Sequence, residues 1–421
     1  MSKSPRSGRS RRDVIQAAGA ATAAAAVSGF PFIARAQNNP IKVGMVTISS
    51  GRVAMLGASS SNGALFEFEK FNAAGGLGGR PIELVVRDSK GKPEESARLA
   101  RELVNSDGCI AVLDADSSAA AFAIQEVAKD LGMLTIHMGE TSSLTADPKI
   151  RAPNAFRSAR QGVHDSVAAG FYAGKLAKDK GLNKWMGCSP DYVYGRDSNQ
   201  LFFEYLKHFY KDVELIGESW PKLFQADYTE QLTRILQAKP QAIYTCLWGG
   251  DLTAFIDQSS IFNLFAQMQV FAINVADYAI VTAVKNLPKG IHSGSRYLST
   301  YPKTEANAKW SADYRARFKE YPLNWSWENA TAAQFITEAI KKTNSAEPKK
   351  LIEAITGMTI QSPFGVNGTI TMRAEDNTII DYATGWGQTI SADPFVPEIV
   401  SVDWGVIKEL EVDWKKRNKY L

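Results

Sequence analysis

The sequence is poor in the residues that build most catalytic and metal sites. Its four histidines, His137, His164, His208 and His292, are scattered. None stands in an H-E-x-x-H pattern, and neither a G-x-S-x-G elbow nor a phosphate-loop spacing occurs. Gly75-Gly-Leu-Gly-Gly79 lacks the G-x-G-x-x-G spacing and lies between a helix and a strand, the reverse of the dinucleotide context. An enzyme is therefore not expected, nor a cofactor, nor a metal. Cysteine is scarce and odd in number: Cys109 and Cys246 sit in apolar strand patterns and Cys188 ends one. Buried thiols in separate strands are expected rather than a disulfide. No run after the first 36 residues is long and apolar enough to cross a membrane, so a soluble protein is expected.

Excess charge is missing as well, once the beginning of the chain is set apart. The chain has 48 Lys and Arg against 44 Asp and Glu. Residues 1–36 hold six of the basic ones and one acidic residue, Asp13, which leaves 42 against 43, a net −1. No basic face is left for nucleic acid. Those first residues read as an address. Arg9, Arg11 and Arg12 precede an Ala-rich, weakly apolar run from Val14 to Val27, and Ala34-Arg-Ala36 is a small-x-small cleavage site. Ser10-Arg-Arg-Asp-Val-Ile15 resembles the twin-arginine export motif. A cleaved signal peptide over 1–36, a mature chain from Gln37 and a periplasmic location are expected.

Beyond the leader, strand and helix patterns alternate. Ile41–Thr47 is an apolar strand pattern, Ile48–Leu56 a loop, and Leu65, Phe68 and Phe71 mark a helix. Asn72-Ala-Ala-Gly-Gly-Leu-Gly-Gly79 stops it. Ile82–Asp88, Cys109–Leu113 and Met133–His137 are further strands with helices between them. The pattern restarts at Lys184–Cys188 and runs through Val213–Trp220, Gln241–Leu247 and Gln269–Ile273. Roughly 385 residues after the leader suggest two or three domains, and strand–helix alternation predicts parallel sheets. Ligands of such sheets sit beyond the carboxyl ends of the strands. The candidate binding loops are 48–56, 114–118 and 138–141 in the first unit, and 191–194, 248–250 and 274–278 in the second.

Phe71-Asn-Ala-Ala-Gly-Gly-Leu-Gly-Gly-Arg-Pro-Ile-Glu-Leu-Val-Val-Arg-Asp88 resembles a signature of type I periplasmic solute-binding proteins, in the leucine/isoleucine/valine-binding branch that serves ABC importers. Ser117-Ser118, Asp191-Tyr-Val-Tyr-Gly-Arg196 and Gly357–Gly365 agree with it in order. The resemblance implies an α/β fold of two doubly wound parallel-sheet lobes with three hinge crossings. The crossings are placed near Ala159, Gly290 and Gly365. That assigns 41–159 and 290–365 to lobe 1, and 160–289 and 366–421 to lobe 2. It also implies a monomer that traps a small polar solute, an amino acid, amide or related compound, and delivers it to membrane permease subunits. A sensing module of the same fold, signalling to a membrane partner, is the alternative.

The same resemblance selects the ligand residues. Ser117 and Ser118, at a helix start, suit an anionic group while also capping the helix. Glu140 and Thr141 complete that site. Tyr194 closes from the second lobe, Trp248 lies beside it, and Asp277 or nearby Asn274 meets an ammonium group. Trp325 and Trp327 are expected to cover a helix rather than line the pocket. One departure matters. The family has a Gly-Pro-like pair before the two serines, where this chain has Asp114-Ala-Asp116. A carboxylate there repels a ligand carboxylate, so an amide, amine or polyamine-like ligand gains over an α-amino acid. The aromatic residues near the cleft keep aromatic carboxylates open as well.

Overall fold

Five strands form the first sheet: β1 (Ile41–Thr47), β2 (Ile82–Asp88), β3 (Ala111–Ala115), β4 (Leu134–His137) and β5 (Ala155–Arg157). This computed structural model describes residues 39–421, so the leader expected over 1–36 lies outside the described residues. The sheet order is β2-β1-β3-β4-β5, and every pair is parallel. Helices cover both faces, so both faces are apolar. Ile41, Val43 and Met45 enter one core and Val46 the other, with Leu99, Leu103 and Ile124. That is the period of two expected of a strand buried on both sides.

The Asn72–Asp88 stretch shows why its residue types are needed. Helix Ala54–Ala73 ends there, and Gly75, Gly76, Gly78 and Gly79 all take positive φ, from 57° to 106°. Residues with a Cβ enter that region at a cost. Asn72 then pairs with the start of β2: its Oδ1 accepts the Ile82 N–H at 2.7 Å and its Nδ2 donates to Ile82 O at 2.9 Å. The helix itself begins earlier than the sequence pattern suggested. The expected loop 48–56 is interrupted by a 3-10 turn, Gly51–Val53, and Ala54 to Leu56 are already helical.

The second sheet repeats the first. Strands β6 (Lys184–Cys188), β7 (Glu214–Ser219), β8 (Ala242–Thr245), β9 (Gln269–Ala272) and β11 (His292–Tyr297) lie in the order β7-β6-β8-β9-β11, all parallel. The two-residue strand β10 (Ala276–Asp277) runs beside β11. After helices Glu305–Phe318 and Asn324–Thr343, a small antiparallel sheet forms from β12 (Thr359–Gln361), β13 (Thr369–Met372) and β14 (Ile379–Ile380). Finally β15 (Gly385–Gln388) pairs antiparallel with β11, and β16 (Ile399–Ser401) with β15.

Two of the expected crossings move. The chain does not leave the second lobe near Gly290, because β11 pairs with β9 on one side and β15 on the other. Without β11, the edge of β9 would carry unpaired backbone groups. The second crossing therefore comes after Tyr297. Gly365 is no crossing either: it lies in the turn between β12 and β13, where its N–H donates to Ser362 O. The small sheet stays with the first one, since Arg157 N–H donates to Asn377 O at 2.7 Å. The third crossing falls between β14 and β15. The first spans 158–161, between β5 and helix Gly162–Lys180.

Small residues set the helix contacts that hold each lobe. A Cβ on Gly63 would stand 2.1 Å from the Ser326 carbonyl oxygen, so helices Ala54–Ala73 and Asn324–Thr343 meet at backbone distance. Gly170 and Gly174 let helix Gly162–Lys180 approach Tyr205 and Phe209 in the same way.

Candidate functional site

The strand order reverses between β1 and β3, and again between β6 and β8. At such switch points the loops diverge and leave a crevice at the carboxyl ends of the strands. Here the two crevices share one cavity of about 60 Å³, walled by residues of both lobes.

Helix starts place most of the wall. Ser117 caps helix Ser118–Leu131, with its Oγ accepting the Ala120 N–H at 3.4 Å. Tyr192 stands at the N-cap of Val193–Phe209, Trp248 at that of Gly249–Ile261, and Asp277 at that of Tyr278–Val281. A capping residue ends an extended segment as the chain turns into a helix, so residues at this point after a strand face the crevice. Six of the seven expected ligand residues line the cavity: Ser117, Ser118, Glu140, Tyr194, Trp248 and Asp277. Thr141 is not on the wall. It is buried behind it, where its N–H donates to Ser118 Oγ at 3.4 Å and its carbonyl accepts Arg157 Nη2 at 2.7 Å.

Arg296 on β11 went unnoticed in the sequence and is the only Lys, Arg or His on the described wall. Its Nη2 donates to Glu140 at 2.6 Å, its Nη1 to Asp165 at 2.5 Å and its Nε to Asn274 Oδ1 at 2.5 Å. Tyr194 OH accepts from both Asn274 Nδ2, at 3.2 Å, and Arg296, at 3.3 Å. Burial works against the Arg296 charge, but Glu140 and Asp165 outweigh it and raise its pKa well above the usual value. Burial pushes the Glu140 carboxyl up, and Arg296 draws it back in part. The one sequence signal for Arg296 was an arginine inside His292-Ser-Gly-Ser-Arg-Tyr297, a strand of otherwise small and aromatic residues.

The two acidic residues of the Asp114-Ala-Asp116 loop part ways. Asp114 turns inward, with Oδ2 2.6 Å from His137 Nδ1 in a fully buried pair. Asp116 reaches the cavity wall and accepts from Ser89 Oγ at 2.5 Å, Ser96 Oγ at 2.8 Å and the Ser117 N–H at 2.5 Å. Burial raises its pKa. Asp277 accepts the Ala279 N–H at 3.1 Å and, from the other lobe, the Asn324 N–H at 3.0 Å. Burial pushes its carboxyl up to about 6.

Aromatic rings close the rest. Trp248 Nε1 donates to Tyr192 OH at 3.0 Å, and the Trp248 ring lies 5.7 Å from that of Trp325 across the lobes. Trp325 thus lines the cavity, against expectation, because it opens helix Asn324–Thr343 at the cleft. Trp327, two residues on, stays off the wall as expected, and packs on Phe364 and Tyr382 rather than on a helix. Two more contacts join the lobes, one at the rim and one away from the cavity wall. Arg52 donates to Gly250 O at 2.7 Å and to Asp251 at 3.3 Å, and Ser142 donates twice to Asp197, at 2.9 and 3.0 Å. Among the described residues no cluster of three His, Cys, Asp or Glu is placed to hold a metal ion.

The sequence pattern of the family described as "Periplasmic binding protein" matches residues 40–384. The chain belongs to this family. A Leu/Ile/Val-binding protein homolog of Brucella abortus is 23% identical over 381 residues, covering 86% of each chain. A leucine-, isoleucine-, valine-, threonine- and alanine-binding protein of Pseudomonas aeruginosa is 24% identical, covering 82% of this chain and 89% of its own. Among solved structures, an ABC-transporter solute-binding protein of Rhodopseudomonas palustris, in complex with 3,4-dihydroxybenzoic acid, superposes with a TM-score of 0.77. It is 23% identical and covers 86% of this chain and 96% of that one. Binding proteins of this family are exported solute receptors rather than enzymes. In this binding protein the signature that carries the resemblance, Asn72–Asp88, builds a helix stop and a strand start and contributes nothing to the cavity wall.

Proposed function

We propose that this periplasmic binding protein traps a small polar solute between its lobes and delivers it to the permease of an ABC importer. The observation that supports this most directly is the cavity itself: it sits at the carboxyl ends of both sheets, and each lobe supplies part of its wall. Ser117, Ser118, Glu140, Tyr194, Trp248 and Asp277 contact the solute in this reading, joined by Tyr192, Asn274 and Trp325. Thr141 acts behind Ser118. The lobes close as rigid bodies, pivoting on 158–161, 298–304 and 381–384. Residues 1–36 export the chain by the twin-arginine route and are removed, and the mature protein works as a monomer.

Aromatic carboxylates remain a second class, favoured by the paired Trp248 and Trp325 rings. A thermal-shift screen of the protein against amino acids, amides, ureas, amines and aromatic acids tests the receptor reading. Ligand binding stabilises by RT ln(1 + [L]/Kd), so micromolar binders raise the melting temperature at millimolar concentration. A complete screen in which no solute shifts it refutes the receptor.

A further inference from the structure

Which solute charge the cavity accepts can be read from how its own charges are matched. Arg296 supplies the described wall's only positive side chain, and its guanidinium is committed. All three of its nitrogens donate at 2.5–2.6 Å, two of them to carboxylates. An incoming carboxylate would have to displace Glu140, leaving it buried without a cation, or Asp165, leaving it only Arg160 at 3.7 Å. Such exchanges are disfavoured because an uncompensated buried charge is expensive.

The second place for an anion is the start of helix Ser118–Leu131, where Asp116 already stands and leaves only the Ser118 and Ala119 N–H groups without an acceptor. The Ser117 N–H already donates to Asp116, the Ala120 N–H to Ser117 Oγ, and the Thr141 N–H to Ser118 Oγ. The negative group at this helix end is the protein's own. Asp116 and Asp277 meanwhile stand on the wall with hydrogen-bond donors but with no cation in an ion pair. Arg296 and Arg160 act on Asp277 only at longer range. A solute cation would provide the counter-charge that these two carboxylates lack. The remaining wall suits a cation too. Tyr192, Trp248 and Trp325 border the cavity, and ring faces attract ammonium groups, most strongly where water is excluded.

We infer that the cavity selects an organic ammonium ion that carries no carboxylate, with Asp277 and Asp116 as its counter-charges and Trp248 and Trp325 as its ring wall. This rests on the receptor reading and narrows it to one ligand class.

The test uses compounds that differ in charge at nearly constant shape. Choline and isobutylammonium are the cations, 3,3-dimethylbutan-1-ol is the uncharged counterpart of choline, and glycine betaine adds a carboxylate. Leucine and benzoate represent the carboxylate classes. Isothermal calorimetry on the mature protein should find at least one of the two cations binding tenfold or more tighter than 3,3-dimethylbutan-1-ol and than glycine betaine. Asp277→Asn, which keeps an acceptor for the Asn324 N–H, should weaken the cation by tenfold or more. Trp325→Leu should weaken it more than Trp325→Phe does. Tighter binding of leucine or benzoate than of either cation overturns the inference and leaves the receptor standing. Binding of no compound in this set also overturns it, and the receptor is then judged by the wider screen. Failure of both cations to bind more tightly than 3,3-dimethylbutan-1-ol overturns it as well.

Discussion

Replacing Arg296 with methionine should expose how much the cavity depends on one cation. Arg296 lies 2.6 Å from Glu140 and 2.5 Å from Asp165, and all three side chains are largely buried. At an effective dielectric of about 20, a pair at 2.6 Å attracts by roughly 6 kcal/mol. Part of this is offset by the desolvation that arginine itself no longer suffers, so removing one partner of a buried pair costs about 3–5 kcal/mol. Asp165 keeps Arg160 at 3.7 Å, so the loss falls mainly on Glu140. A destabilisation of about 3 kcal/mol is expected at pH 8.

The loss should depend on pH in a defined direction. Burial already raises the Glu140 pKa, and without Arg296 it rises further. A carboxyl whose folded pKa exceeds its unfolded value, about 4.3 for glutamate, favours folding while protonated. That contribution is complete below the unfolded value and disappears as pH rises through the folded one. The variant should therefore be close to wild type at pH 4 and furthest from it at pH 8. Arg296→Met combined with Glu140→Gln should recover at least half of the loss at pH 8. Urea unfolding followed by tryptophan fluorescence measures each difference as a shift in midpoint at constant slope. A loss below about 1 kcal/mol at pH 8, or an equal loss at both pH values, refutes the reasoning.

Three further substitutions have defined outcomes. Burial pushes Asp197 up to about 6, so its charge opposes folding above that pH; Asp197→Asn, which can still accept from Ser142, should raise the melting temperature at pH 8 and leave it unchanged at pH 4. The effect at pH 8 is worth about 3 kcal/mol, and a destabilised variant at pH 8 would contradict it. Gly63→Ala puts a Cβ 2.1 Å from Ser326 O and should lower stability by about 1–3 kcal/mol, read from the urea midpoint; no change would mean that the two helices separate freely. Arg52→Ala removes the bonds to Gly250 O and Asp251 at the cleft rim; for a half-exposed contact worth about 1 kcal/mol, solute dissociation should quicken about fivefold in stopped-flow fluorescence, and an unchanged rate would show that the rim bond does not hold the lobes closed.

The lobes and the cavity were legible to different degrees. Parallel α/β units show in the chain as apolar runs separated by helical periods, because buried strands and amphipathic helices each impose a local pattern. Ser117, Trp248 and Asp277 were found for a related reason: each stands where a strand gives way to a helix start, and that transition has local markers. Thr141 shared the marker and still missed the wall, since its N–H and carbonyl are used by Ser118 and Arg157. Trp325 and Trp327 were indistinguishable by type, and a helix rotation of two residues sends one to the cavity and the other to Phe364.

The sequence by itself determined that this protein is a two-lobed α/β binding protein, because strand periods, glycine turns and the Asn72–Asp88 signature are all properties of neighbours along the chain. Only the tertiary structure decided where the chain changes lobes and which charges face the solute. Strand β11 reads the same whether it joins one sheet or the other; its membership depends on β9 and on β15, which lies almost a hundred residues further along the chain. Arg296 became central for the same reason. Its partners Glu140, Asp165 and Asn274 come from three separate segments of the chain, and electrostatic pairing at 2.5–2.6 Å depends on distance in space, which residue order does not contain.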